Sequence, residues 1–388
     1  MKLLILTLDD YPHIGGKSTH IASLIDGLKH QDVECKVISR GNINKYKLNL
    51  YKLLIYPLRY ISIKKYLYLR KMNEFKLFQK LVKKELDTNK YNWISCQDAL
   101  ACTAVGRINT SSIITLTMHT YFGLEYTLDN KFFNTEDDYY KKLLGLEEES
   151  LKYANNVVAV DERIYKHIQE TIESDFISYS NKIKLFSIIN FTNTDLYNTD
   201  KNKHVGFNIM CIRRLVEKNG VIYLVKAMKY LKNERNIKLH IYGDGPARDE
   251  ITNYIQKNSL QNVIMHGAIS NSLLPDIYKQ CDLVVVPSIT VNGLQEATSI
   301  SAIEAMSCGI PVIASDIGGL SQMIDNEKNG ILVPEQNSKM LSEAIMKLYE
   351  DKNLQNKLSK NSRSYVLKNH SHIVAAKQYL DIFMNNLN

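Results

Sequence analysis

Short, nearly unbroken apolar runs alternate along this chain with longer stretches whose apolar residues recur at helical spacing. In the first half, Leu3 to Leu8, Val33 to Ser39, Trp93-Ile94, Ile113 to Met118, Asn156 to Val160 and Lys184 to Asn190 read as strands. A second series starts at Phe207 and continues through Lys238 to Tyr242, Val263 to Gly267, Leu283 to Val286, Ile310 to Ala314 and Gly330 to Pro334. Helical patterns lie between them, at His20 to Leu28, Ala99 to Gly106, Asp137 to Tyr153, Val225 to Leu231, Met340 to Tyr349 and Val374 to Phe383. Strands without polar alternation are buried on both faces, so the pattern predicts parallel sheets with helices on either side.

At 388 residues the chain exceeds what one hydrophobic core serves, and the restart at Phe207 predicts two doubly wound α/β domains. The polar run Asn198 to His204 reads as their linker. The expected boundaries are 1–197 for the first domain and 205–369 for the second, with a terminal helix, 370–388, crossing back to the first. With 45% hydrophobic and 23% charged residues the composition is that of an ordinary folded protein. Six cysteines without a C-x-x-C pair argue for a reducing compartment and against a zinc site or disulfide framework. The apolar run at Met1 to Leu8 is too short for a signal-peptide core, and no run approaches the roughly 20 residues that cross a bilayer. The expected location is the cytoplasm, or the cytoplasmic face of the membrane.

Net charge is +8, and it is concentrated. From Arg40 to Lys90 the cations, Arg59, Lys64, Lys65, Arg70 and Lys71 among them, are opposed only by Glu74, Glu85 and Asp87. Tyr46, Tyr51, Tyr56, Tyr60, Tyr66 and Tyr68 are interleaved with them. Cations mixed with aromatics suit an anionic membrane surface, and nucleic acid far less well. A solvated helical face with its tyrosines in the core reads equally well, as Phe75, Phe78, Val82 and Leu86 at helical spacing indicate.

Candidate chemistry centres on the stretch Pro287 to Gly319, where Glu296 and Glu304 stand with seven residues between them. If a helix starts near Ser299 and ends before Gly309, Glu304 lies within it and Glu296 on the loop leading in. The N–H groups from Ala297 to Ser301, at Thr298, Ser299 and Ile300 in particular, then face the space between the acids. Such a helix start binds phosphate. A capped helix leading into a buried strand would give the same spacing with no function. His119 stands at the carboxyl end of a strand, and Gly15-Gly16 turns the chain after the first strand. Arg213, Arg214 and Lys218 follow the strand that opens the second domain, where cations can neutralise a diphosphate. Gly243 and Gly245 mark a tight turn after the next strand. The G-x-G-x-x-G of a dinucleotide-binding dehydrogenase is absent after the first strand.

The string from Glu296 to Val312 resembles the E-x7-E signature of the family 4 retaining glycosyltransferases, with its Glu-Ala-Met and Gly-x-Pro-Val. It departs at Ala297, Thr298 and Ser299, where many members carry an aromatic residue and glycine. Thr117-Met118-His119 resembles the family's T-x-H strand end, Gly15, Gly16 and His20 its first loop, Asn190 to Asp195 its N-G-V-D segment, and Gly243 to Pro246 its G-D-G-P loop. Arg214 and Gly220 match its G-R-L and lysine-glycine motif, but Asn219 stands where the lysine is usual, with Lys218 one place early. The resemblance implies the GT-B arrangement, two Rossmann-like domains facing across a cleft, and transfer of a sugar from a nucleotide-diphosphate sugar with retention. The acceptor would be a glycan or a lipid-linked group in bacterial surface polysaccharide or glycolipid assembly. It further implies that Glu304 holds the ribose and Glu296 the sugar, that Arg214 with Lys218 or Arg213 stabilises the β-phosphate, and that His119 contacts the sugar. No cofactor or catalytic metal is implied, and no D-x-D sequence occurs. A nucleotide-sugar 2-epimerase of the same fold and a non-catalytic sugar-nucleotide-binding protein at the membrane are the competing readings.

Overall fold

The computed structural model describes residues 1–13, 15–108, 110–120, 136–173, 183–291, 293, 295–296 and 298–386. They form two compact units. The first comprises Met1–His13, Leu24–Ile189 and Ala376–Asn388, and the second Ile14–Ser23 and Asn190–Ala375.

The first unit holds a six-stranded sheet in the order β2-β1-β3-β4-β5-β6, every neighbouring pair parallel. Its strands are β1 (Lys2–Thr7), β2 (Glu34–Ser39), β3 (Trp93–Cys96), β4 (Ile113–Met118), β5 (Asn156–Ala159) and β6 (Lys184–Ser187). Central strands are buried on both faces: Leu3, Leu4, Ile5 and Leu6 of β1 are inaccessible to solvent. That is why they read as continuous apolar runs. Asp98, the N-cap of the helix Ala99–Gly106, also accepts from the Thr7 hydroxyl and the Leu8 N–H, so one carboxylate ties the end of β1 to the helix after β3. Within this unit, Tyr379 and Phe383 of the last helix, four residues apart, reach Thr117 (hydroxyls 3.1 Å apart) and stack on Trp93.

The second unit repeats the plan with the order β12-β11-β10-β7-β8-β9, again all parallel. Here β7 is Phe207–Ile212, β8 Ile237–Tyr242, β9 Val263–Gly267, β10 Leu283–Val286, β11 Val312–Ser315 and β12 Ile331–Val333. From β7 the chain builds outward through β8 and β9, then returns to β10 on the other side. The strand order therefore reverses between β7 and β10, and the crevice outside their carboxyl ends is where open α/β sheets bind ligands. The residues that leave those two ends are Arg213 and the loop from Pro287 to Ser299.

Several expected elements are longer or additional. The segment after β2 folds into the helices Lys45–Ile55, Leu58–Ile61 and Ile63–Thr88. Tyr66 is buried there as a core residue, whereas Tyr46 and Tyr60 are 74% and 79% exposed, so the reading that sinks these tyrosines in the core holds for only part of the segment. Helices at Glu162–Glu173 and Lys352–Asn369 also join the expected set.

Close backbone approach explains the glycine after β8. Gly243 has φ +148°, and a Cβ there would lie 1.8 Å from the carbonyl oxygen of Arg213. Replacing it with alanine forces apart the strand end that carries Arg213. Gly145, by contrast, takes an exposed position on the helix Asp138–Tyr153 with nothing within 4 Å of its Cβ position. Urea unfolding should show Gly243→Ala losing at least about 2 kcal/mol. Gly145→Ala should gain roughly 0.5–1 kcal/mol.

Candidate active site

The helix expected near Ser299 is Ile300–Ser307, with Ser299 as its N-cap accepting from the Ala302 N–H at 3.4 Å. It stops at a left-handed Gly309 (φ +65°), where the Ile310 N–H donates to Ala305 and the Gly309 N–H to Met306. This paired closure satisfies the last carbonyls and turns the chain into β11. Glu304 therefore lies on the helix and Glu296 on the loop before it. Ala297, the first of the expected helix-start N–H groups, lies outside the described residues.

Arg213 is the centre of the site. Its side chain is only 7% exposed, and its guanidinium donates to Glu296 Oε2 (2.7 Å), to Asn219 Oδ1 (2.8 Å) and to the Ser299 hydroxyl (3.2 Å). The Ser288 hydroxyl donates to the same Glu296 oxygen at 3.4 Å. Thus one cation joins the end of β7, the loop after β10 and the cap of the helix. Burial is the largest influence on the Glu296 carboxyl and pushes its pKa up, but the charges of Arg213 and Lys218 and the hydrogen bonds from Arg213 and Ser288 outweigh it. The carboxyl is held below its usual range and is ionised at neutral pH.

The resemblance assigns Arg214, with Lys218 or Arg213, to the diphosphate; of these, Arg213 pairs with Glu296. Arg214 and Lys218 are exposed, and Lys218 acts on Glu296 through its charge. Asn219, standing where the family carries lysine, is buried and fixed from both ends: it accepts from Arg213 and donates to the Arg214 carbonyl at 2.6 Å. Gly243 and Gly245 lie against the backbone of Arg213 and Leu215 and support this strand end. Gly318 does the same for the loop, since a Cβ there would meet the Glu296 carbonyl at 2.3 Å.

Gly15 and Gly16 group with the second unit. A Cβ on Gly16 would touch Ile300 at 3.6 Å, which places this turn beside the helix start. His20 is buried against the Phe191 ring, 4.4 Å between centroids, and burial lowers its pKa to about 3, so it is a neutral packing residue. Asn190, which is hydrogen-bonded to His20, also donates to the Thr298 hydroxyl at 2.7 Å. His119 belongs to the first unit, where its Nε2 lies 3.0 Å from Gln97 Oε1 at the end of β3. Gln97 is a site residue that no motif singled out; Asn190 lies in the segment resembling N-G-V-D and Ser288 in the stretch Pro287 to Gly319, but neither carried a role in the sequence.

Glu304 is the opposite case to Glu296. It is 2% exposed, and its carboxyl is held by the hydroxyls of Tyr278, at 3.0 Å, and Tyr197. Burial raises its pKa to about 7 and the tyrosine hydrogen bonds offset only part of that. Between the ordinary carboxyl pKa of 4.5 and about 7, the unfolded chain loses this proton before the folded one does. Its contribution to stability is therefore full below the lower value and falls as pH rises through the upper one. Glu304→Gln has no proton to lose. In urea unfolding its stability should gain on the parent by up to about 3 kcal/mol between about pH 4 and pH 8; identical pH slopes would show that Glu304 ionises freely in the fold.

Residues 199–365 match the family model described as "Glycosyl transferases group 1". An uncharacterized glycosyltransferase of Methanocaldococcus jannaschii is 26% identical over 99% of this chain and 98% of its own length. Among solved structures, sucrose-phosphate synthase from Thermosynechococcus elongatus superposes with a TM-score of 0.75 at 20% identity, over 100% of this chain and 99% of that one. Anabaena HepE in complex with UDP and glucose gives 0.68 at 16% identity, over 99% of each. The two all-parallel six-stranded sheets are those of the GT-B fold. Residues 199–365 thus match the group 1 glycosyl transferases, and the chain has the GT-B fold.

Proposed function

We propose that this chain transfers a sugar, with retention of configuration, from a nucleotide-diphosphate sugar to a glycan or lipid-linked acceptor in surface polysaccharide or glycolipid assembly. The observation that carries the reading is the buried Arg213–Glu296 pair set against the start of the helix Ile300–Ser307. As the bond to the donor sugar breaks, negative charge grows on the departing diphosphate. The guanidinium of Arg213, the helix dipole and the first-turn N–H groups of Ile300 and Ser301 meet that charge without having to reorganise. Binding of UDP and glucose by Anabaena HepE, which shares the fold, supports a donor of this class.

Glu296 takes the Arg213 and Ser288 bonds on Oε2, which leaves Oε1 to accept from a hydroxyl of the transferred sugar. Its ionised state makes it an acceptor only, so it orients the sugar and does not protonate it. Glu304 is assigned to the ribose hydroxyls, sharing its carboxyl with Tyr278 and Tyr197; a ribose hydroxyl donating to it would favour the ionised form. His119 keeps its assignment to the donor sugar, with Gln97 fixing the ring. The reading carries no metal, in keeping with the absence of an Asp-x-Asp sequence.

A panel of UDP-, GDP- and ADP-sugars, read by thermal shift and diphosphate release, tests the donor class. One nucleotide should stabilise the chain selectively. In that assay Glu296→Gln should lower turnover by about 100-fold or more while stabilisation by the nucleotide persists. Full activity in the variant would overturn the assignment of Glu296.

A further inference from the structure

The helix Lys45–Ile55 of the first unit is apolar on two faces. Its inner stripe is Leu48, Tyr51 and Ile55, at steps of three and four residues; Ile55 is 8% exposed and the other two pack partly buried against core clusters. The outer stripe is Tyr46, Leu50, Leu53 and Leu54, again at helical spacing, and these are 74%, 46%, 71% and 69% exposed. The stripe continues into the short helix Leu58–Ile61, where Tyr60 and Ile61 are 79% and 80% exposed. An amphipathic helix needs one apolar face to hold it to its own core. Among the described residues the second has no partner.

Charge completes the picture. No aspartate or glutamate occurs between Arg40 and Glu74. Lys45, Lys47, Lys52, Arg59 and Lys65 are exposed around the outer stripe. The Arg59 guanidinium lies 6.0 Å from the centre of the Tyr56 ring, and the rings of Tyr56 and Tyr60 meet edge to face. Leucines flanked by tyrosines, with a surround of cations and no acids, match the layering of a bilayer surface: acyl boundary, interfacial belt, anionic headgroups. A water-facing helix gains nothing from four exposed large apolar residues, and a nucleic-acid surface would not reward the leucines. Among the described residues no helix is long and apolar enough to cross a membrane, so contact of this kind is peripheral.

We infer that the outer face of residues 45–61 docks on an anionic phospholipid surface, its leucines entering the headgroup layer and its cations pairing with lipid phosphates. The inference is independent of the sugar-transfer reading, because it uses none of the residues assigned to the donor.

The test is co-sedimentation of the whole chain, without any sugar nucleotide, with phosphatidylglycerol-rich vesicles and with phosphatidylcholine vesicles. The wild type should partition to the former, lose binding in high salt and bind the latter weakly. Lys47→Glu/Lys52→Glu should reduce partition at least about tenfold, and Leu53→Ser/Leu54→Ser by a similar factor, with thermal unfolding unchanged in both because the side chains are exposed. Absence of binding, or binding that neither variant weakens, would overturn the proposal. A dimer that Leu53→Ser/Leu54→Ser dissociates, without vesicle partition, would also overturn it and assign the face to a second copy of the chain.

Discussion

Burial of one ion pair is the constraint around which the second unit is arranged. A guanidinium and a carboxylate removed from water recover their lost hydration only when geometry is close and their remaining donors and acceptors are satisfied. Arg213 meets that condition with Glu296, Asn219 and Ser299, and Glu296 gains a further bond from Ser288. These partners come from the turn after β7, the loop after β10 and the cap of the following helix. The glycines that crowd the Arg213 and Glu296 backbones, Gly243 and Gly318, allow those segments to close on the pair. Reversal of strand order between β7 and β10 creates the crevice; the pair charges its floor.

The two glutamates of the signature differ in state because they differ in neighbours. Glu296 is surrounded by cations and is held ionised, whereas Glu304, one helix away, has tyrosines for company and is pushed to about 7. Hydroxyls can hold either form of a carboxyl, while a guanidinium favours only the charged one. The contrast fits a site where one acid must remain an acceptor throughout and the other can adjust to what binds.

Much of this was legible in the sequence. Ile113–Met118 and Leu283–Val286 run as observed, because strands buried on both faces leave unbroken apolar runs; the edge strand Val263–Gly267 also runs as expected. The helix carrying Glu304 and its Ser299 cap were legible from the cap and the closing glycine. Helices such as Glu162–Glu173 and Lys352–Asn369 were missed: each buries only two or three residues, though Ile164, Ile168 and Ile172 of the first stand at helical spacing. That Arg213 pairs with Glu296 was beyond a motif, since a shift of one residue at a strand end reverses the side chain's direction. Asn219 showed as a departure from the family pattern, yet its service as an acceptor for Arg213 appears only in three dimensions. Likewise, sequence marks the helix Lys45–Ile55 as apolar and basic, but which of its two apolar stripes faces the core is decided by packing.

Arg213 and Asn219 are a paired departure: the family motif has glycine and lysine where this chain has arginine and asparagine. The account holds that Arg213 supplies the cation that Asn219 withholds. Calorimetric titration of the nucleoside diphosphate that best stabilises the wild type, against Arg213→Gly and Arg213→Gly/Asn219→Lys, tests this most directly. The predicted result is a loss of affinity of about tenfold or more in the single variant, largely restored by the lysine. Affinity undiminished in a folded Arg213→Gly would contradict it, and the buried pair would then be a structural clamp with no part in binding the diphosphate.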